Sequence, residues 1–208
     1  MSQGAEASAG QGSDAVTSQE PSPPLHTPWT FWIGPKGNPD DFERNLKKIY
    51  TFDNAVDFWA VYNRIPSLSS MEEGTAVYLM RDQRRPVWED PENREGGTWV
   101  VKLKKEYSSF AWQEILLAAI GEQFLNVFKE TDSLVGLSVS VRDKEDTIKM
   151  WNQKSELGDP ETPALEQKLR DLIVFDPRRG GDRVFYKAHQ SHRKYDTSGG
   201  RGFGDRRF

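Results

Sequence analysis

Two hydrophobic periods alternate along the middle of the chain, one of two residues and one near 3.6, and the switches between them mark its elements. Trp29, Phe31 and Ile33 fall on one side of an extended segment, with Thr30 and Trp32 on the other. A second strand is predicted over Asn45 to Tyr50, which leaves Phe42 in a loop after Gly37-Asn38-Pro39. Asp53 or Asn54 then caps a helix in which Val56, Trp59, Ala60 and Asn63 recur at helical spacing. Ala76 to Arg81 and Thr98 to Leu103 read as strands, the second alternating Trp99, Val101 and Leu103. The clearest helix is predicted from about Ser108 to Lys129. Trp112, Ile115, Leu116, Ala119, Ile120, Gln123, Phe124 and Val127 form one broad apolar stripe there. A hairpin follows, with Val135, Leu137, Val139 and Val141 facing one way and Gly136, Ser138, Ser140 and Arg142 the other. Its return strand sets Ile148 and Met150 against Thr147, Lys149 and Trp151. Thr162-Pro163 opens a short helix through Leu165, Leu169 and Leu172, and Arg183 to Ala188 closes as a strand.

Hairpins interleaved with three helices, and no strand–helix–strand series of the parallel kind, indicate an α+β domain. Its single antiparallel sheet would be covered by helices on one face and open on the other. An open face that carries Trp is a platform for a planar ligand. Residues 1–24 are rich in Ser, Gly, Ala, Gln and Pro with almost nothing large to bury, so a disordered tail is expected there. The Gly- and Arg-rich stretch 196–208 is expected to behave alike, leaving one domain over residues 25–195.

Composition narrows the chemistry. A net charge of −4 over 208 residues excludes a blanket polyanion binder, so any nucleic-acid contact must come from a local basic patch. The chain has no Cys, which removes disulfides and thiolate chemistry. Its longest apolar run, Ile115 to Ile120, is too short to span a bilayer, and no basic-then-apolar leader opens the sequence. An intracellular protein without membrane attachment is therefore expected. Catalysis finds no support. His26, His189 and His192 lie near the ends without metal-ligand spacing, and no nucleophile elbow or phosphate loop occurs. Asp143, Glu145 and Asp146 fit a solvated hairpin tip. We expect a protein that is not an enzyme and needs no cofactor or metal.

The binding features are stronger. Trp88-Glu89-Asp90 follows Arg84-Arg85-Pro86 between two strands. An indole can stack on a purine, worth roughly 1–3 kcal/mol. A neighbouring carboxylate can accept both N–H groups of the guanine Watson–Crick edge, and a purine methylated at N7 is cationic, which strengthens both contacts. The plain alternative is a Trp packed under a loop beside a surface Glu. Arg142, Lys149 and Trp151 share one sheet face, an arrangement suited to a phosphorylated nucleoside. The plain alternative here is an exposed charged hairpin with one packing Trp.

Five stretches, in this order and spacing, resemble the initiation factor 4E family of messenger-RNA cap-binding proteins. They are Trp29-Thr30-Phe31-Trp32, Val56-Asp57-Phe58-Trp59-Ala60-Val61-Tyr62-Asn63, Pro86-Val87-Trp88-Glu89-Asp90 with Gly96-Gly97-Thr98-Trp99, Ile120-Gly121-Glu122-Gln123-Phe124, and Val139-Ser140-Val141-Arg142 with Trp151. Lys47-Lys48-Ile49-Tyr50 and Leu79-Met80-Arg81 resemble the third class of that family most. The similarity runs from about Leu25 to His192.

The resemblance implies a curved antiparallel sheet with three helices on its convex face and a cap-binding slot on the concave face. It implies Trp88 as one wall of an aromatic sandwich, Glu89 as acceptor for the guanine edge, and Trp151 near the N7-methyl. Arg142 and Lys144 resemble the phosphate contacts. Phe42 stands where a second sandwich Trp is usual, and Thr147 replaces a phosphate-side Lys, for which Lys149 compensates in our reading. On the convex side the family holds a helical peptide of the 4G scaffold or of 4E-binding proteins. The matching positions are Pro24, Leu25, Ala55, Trp59, Gln113, Glu114 and Gly121, with Ala55 and Gln113 smaller or more polar than usual. For Trp59 the alternative is packing between helix and sheet. The implied function is cap binding in translation initiation or its regulation, by a cytoplasmic monomer. Its rivals are a 4E-like protein with a weakened slot that competes for scaffold partners, and a general single-strand RNA binder.

Overall fold

A computed structural model describes residues 22–35, 39–128, 132–155, 162–173 and 183–190. The 196–208 tail and all but the last three residues of the 1–24 tail lie outside the described residues, as does the expected domain end at 195. Pro24 already belongs to the first strand.

The elements in order are β1 (Pro24–Pro35), α1 (Pro39–Asn45), β2 (Lys47–Asn54), α2 (Ala55–Tyr62), β3 (Thr75–Arg81), β4 (Gly97–Lys104), α3 (Lys105–Ile120), β5 (Leu134–Ser140), β6 (Glu145–Asn152), α4 (Thr162–Leu172) and β7 (Arg183–Ala188). The strands form one curved sheet in the order β2-β1-β3-β5-β6-β4-β7, antiparallel at every pairing. Strand alternation divides the side chains between its faces. Trp29, Phe31, Leu79, Trp99, Leu137 and Ile148 point to the convex side, where Phe58 of α2, Trp112 and Ile115 of α3, and Leu165 and Leu169 of α4 close over them. Full burial of side chains this size stabilises the fold by roughly 1.5–3 kcal/mol each. Tyr78, Met80 and Trp151 point to the concave side and form a smaller cluster with Trp32, Phe42 and Trp88 packed against it. The expected α+β architecture, with three helices on one face, is what the chain adopts.

Local boundaries differ from the sequence reading in four places. The second strand spans Lys47–Asn54 rather than Asn45 to Tyr50, because Pro39–Asn45 is a fourth, short helix on the concave side, and Phe42 rides on it instead of on a loop. The long helix ends at Ile120, well before Lys129. Glu122 turns left-handed with φ 56°, and the N–H groups of Gln123 and Glu122 donate to the carbonyls of Ala118 and Ala119 at 2.8 and 3.1 Å. That is a Schellman stop, in which these bonds satisfy the last carbonyls. Glu122 holds this conformation while its carboxylate receives both arms of Arg81, each at 2.6 Å. Phe124 and Val127 stay buried in the turns that follow, so the apolar stripe outlasts the helix. Val135 joins the concave cluster rather than the face of Leu137, because a bulge between Leu134 and Gly136 sets two residues against one and reverses the alternation. Finally, Val56, Trp59, Ala60 and Asn63 are the outward side of α2, and Phe58 is its buried anchor. Asn54 caps that helix, accepting the Asp57 N–H at 2.9 Å and donating back to the Asp57 carboxylate at 2.8 Å.

Candidate nucleic-acid interface

The concave face holds a slot of about 790 Å³. Its floor comes from β3, β5 and β6 through Ala76, Tyr78, Ser138, Ser140 and Trp151, mostly small or polar tops on a paired sheet. One side is Phe42 on α1, and the other is Trp88-Glu89 on the loop between β3 and β4. Arg142 and Lys149 line it as well. Six of the seven candidate cap residues, Phe42, Trp88, Glu89, Arg142, Lys149 and Trp151, are thus brought to one cavity. Lys144 is not among them: it is exposed on the β5–β6 hairpin and lines an adjoining groove. Phe42 is half-buried and meets Tyr78 edge-to-face, with ring centroids 5.9 Å apart. Arg85 on the β3–β4 loop reaches Glu43 of α1 at 3.0 Å, so an exposed ion pair links the two side walls. Such a pair adds little stability in water.

The loop bearing Trp88 is held from beneath. Asn93, fully buried, donates through its side-chain amide to the carbonyls of Arg85 at 2.7 Å and Val87 at 2.8 Å. Its own backbone carbonyl lies 2.7 Å from Nδ1 of buried His189, and His189 Nε2 lies 2.7 Å from the Thr98 hydroxyl. A carbonyl can only accept, so Nδ1–H donates in that bond, and Nε2 shares the second hydrogen bond with the Thr98 hydroxyl. The His189 ring also stands 5.0 Å from Trp151, edge to face. Hydrogen bonds therefore tie the Trp88 loop to β4 and to the residue that follows β7, and a ring contact carries the link on to the slot floor. Nothing in the sequence pattern singled out Asn93 or His189 for this, since they lie 96 residues apart and meet only in the fold.

At the cationic end, Asp146 overturns the expectation of a solvated tip. It is 3 % exposed and accepts from the Ser108 hydroxyl at 2.6 Å, Lys105 at 3.2 Å and the Arg142 N–H at 3.1 Å. The hairpin end that carries Arg142 is thereby pinned to the first turn of α3. Burial, and then the charges of Arg142 and Lys187, push the Lys149 ammonium below its usual range. Burial raises the Tyr78 hydroxyl to about 12 against the opposing pull of Arg142, so it stays protonated as a donor on the slot floor. The electrostatic layout is a carboxylate beside an indole at one part of the slot and crowded cations at another. Among the described residues no cluster of His, Cys, Asp or Glu could hold a metal, and no helix is long and apolar enough to cross a membrane.

The candidate partner residues lie on the start of β1 and on the helices of the convex side. Pro24 pairs with Asn54 at the foot of α2, and the Val56 N–H reaches Ser22 at 3.4 Å, which sets the N-terminal segment against the first turn of α2. Trp59 is 37 % exposed and meets Tyr62 edge-on at 5.8 Å. It does not fill the helix–sheet interface; Phe58, 0 % exposed, does that. Leu25, Ala55, Gln113 and Glu114 are half-buried, while Pro24 and Gly121 are exposed.

Residues 24–201 match the family model described as Eukaryotic initiation factor 4E. Eukaryotic translation initiation factor 4E-1 of Caenorhabditis elegans is 33 % identical over 184 residues, which span 84 % of each chain. Among solved structures, Ascaris suum eIF4E-3 in complex with an m7G cap superposes with a TM-score of 0.69 at 31 % identity, covering 80 % of this chain and 91 % of that one. C. elegans eIF4E-3, solved with the 4E-binding protein Mextli and a cap analog, gives 0.70 at 29 % identity over 82 % and 95 % of the two chains.

Proposed function

The chain belongs to the eukaryotic initiation factor 4E family, and we propose that its concave slot binds the 7-methylguanosine cap of messenger RNA. The observation that carries this reading is the convergence of Trp88, Glu89, Trp151, Arg142 and Lys149, drawn from one loop and two ends of a hairpin, on a single cavity. Trp88 stacks on the cationic base with Phe42 as the opposing wall, and Glu89 accepts the guanine N1–H and N2–H. Trp151 meets the N7-methyl, and Arg142, Lys149 and the nearby Lys144 take the phosphates. None of these steps makes or breaks a covalent bond; the protein is a non-catalytic binder acting in the cytoplasm, in translation initiation or its regulation. On the convex side, exposed Trp59 with Pro24, Leu25, Glu114 and Gly121 receives a helical peptide from a 4G scaffold or a 4E-binding protein; a partner surface is supported by the relative solved with the 4E-binding protein Mextli.

The test is a titration of intrinsic Trp fluorescence with 7-methylguanosine triphosphate and with unmethylated guanosine triphosphate. Quenching by the methylated compound, with the unmethylated one weaker by about tenfold, is expected from a cation–π gain of about 1–2 kcal/mol. Equal affinity for both would support a general single-strand RNA binder. No binding of either, with scaffold-peptide binding intact, would support a competitor for partners.

A further inference from the structure

Beside the cap slot runs a second groove of about 680 Å³, and the two share Trp88, Arg142, Lys149 and Trp151. The strand register lays out its floor. Trp151 of β6 stands opposite Thr98 of β4, which stands opposite Lys187 of β7. In the next row come Lys149, Val100 and Phe185, and in the next Thr147, Lys102 and Arg183. Lys102, Phe185 and Lys187 all line the groove. The Lys187 ammonium lies over the Phe185 ring, 5.5 Å from its centre, so a cation and one face of an aromatic ring meet beyond the slot.

Charge balance favours an anion here. Lys102, Lys149 and Lys187 form no ion pair among the described residues. Of the carboxylates that line the groove, Glu145 is engaged by Arg183 at 3.5 Å, and Glu73 and Asp143 are exposed. Lys149 is lowered first by burial and then by Arg142 and Lys187, so cations from the hairpin end and from the adjoining row repel it. A ligand that brings negative charge between the rows relieves that repulsion.

We propose that this groove carries the RNA strand that follows the cap, with Lys102 and Lys187 holding its backbone phosphates and the Phe185 ring offering a stacking surface to a base. The inference rests on the reading of the slot as the cap site, since continuity with the slot is what directs a strand into the groove. The chemistry is that of single-strand binding: a cationic track beside an aromatic platform, tolerant of sequence because every base has a π-face. From Lys149 across β4 to Lys187 is two strand spacings, roughly 10 Å, so the track is short.

The experiment compares 7-methylguanosine triphosphate with a capped pentauridylate, on the native protein and on a Lys102→Gln, Lys187→Gln double variant, across a range of salt concentrations. The native protein is expected to bind the capped oligonucleotide about tenfold more tightly than the mononucleotide, with a steeper salt dependence. The double variant should bind both alike, with mononucleotide affinity unchanged, and the slope should fall by about 0.7 for each phosphate left without its lysine. A native protein that binds the oligonucleotide no more tightly than the mononucleotide overturns the proposal. So does a double variant in which both affinities fall equally, because the lysines would then belong to the cap slot itself. If a polyglutamate peptide displaces the oligonucleotide's extra affinity and binds alone with the same lysine dependence, the groove serves an acidic protein partner, and the proposal fails. Absence of mononucleotide binding overturns the cap reading, and this inference with it, before any oligonucleotide is added.

Discussion

Glu89 follows Trp88 on the loop that forms one side of the slot, so under the proposed reading the acceptor for a purine edge comes with the ring that stacks on it. In Glu89→Gln the shape is kept, but an amide N–H replaces one of the two acceptor oxygens facing guanine N1–H and N2–H. Cap affinity should drop by about 1–3 kcal/mol, the scale of a bidentate base contact, while the thermal midpoint stays put. Unchanged affinity in a folded variant would remove Glu89 from the site. Lys149 behaves differently, because its charge is disfavoured in the free protein. Its folded pKa lies below the usual 10.5, so the unfolded chain binds more protons between the lowered value and 10.5. Stability therefore rises with pH through that window. Lys149→Met should abolish this rise, make the ligand-free protein melt at a higher temperature, and shrink the melting shift produced by cap analogue. Melts at neutral pH with and without analogue check both signs; a variant less stable than the native protein and equally stabilised by ligand would show that Lys149 is neither crowded nor a phosphate contact.

At the scale of elements, the site is a set of anchors that hold loops. Asp146 links the β5–β6 hairpin to α3, and Ser108, Lys105 and the Arg142 N–H all donate to it. Asp146→Ala removes three hydrogen bonds at once and leaves the part-buried Arg142 N–H without its acceptor, while Ser108 keeps the Lys105 carbonyl at 3.0 Å, so a loss of roughly 1–3 kcal/mol in chemical denaturation is expected. Cap affinity should weaken as well, since the backbone of Arg142 loses its tether. A variant with native stability would show that the carboxylate is not the anchor. This residue also marks where sequence reading stops. Alternation placed Arg142, Lys149 and Trp151 on one face correctly, because a period of two needs only neighbours in the chain. The same rule failed at Val135, where a bulge reversed the face, and the helical period failed at the end of α3, where the apolar stripe continued past a Schellman stop. Asp146 looked like part of a solvated tip because its side-chain partners, Ser108 and Lys105, lie 38 and 41 residues away on another element. Asn93 and His189 stayed invisible for the same reason. Motif order, by contrast, carried the family, the sheet with its helical back, and six of the slot residues.

For the molecule as a whole, the sheet separates two surfaces. Its concave side gathers the slot around Trp88 and Trp151, and its convex side is filled by a continuous core running from Phe31 and Trp99 to Phe58, Trp112 and Leu165. Trp59 stands on the far side of that core, on the outward face of α2, in company with exposed Val56. Its neighbour Phe58 supplies the packing that holds α2 to the sheet, so truncating Trp59 removes surface rather than foundation. Interface anchors are commonly exposed aromatics of this kind, and losing one costs at least about 2 kcal/mol of partner binding. Sites separated by a packed layer and sharing no partner are additive to within about 0.3–0.5 kcal/mol. Trp59→Ala should therefore abolish binding of a 4G-type helical peptide while cap affinity stays within that margin, and the thermal midpoint should move little. Calorimetric titration of the variant with peptide and with cap analogue tests the two surfaces in one preparation. Should both affinities fall together with the melting temperature, Trp59 supports the core, and the partner surface lies elsewhere on the convex face.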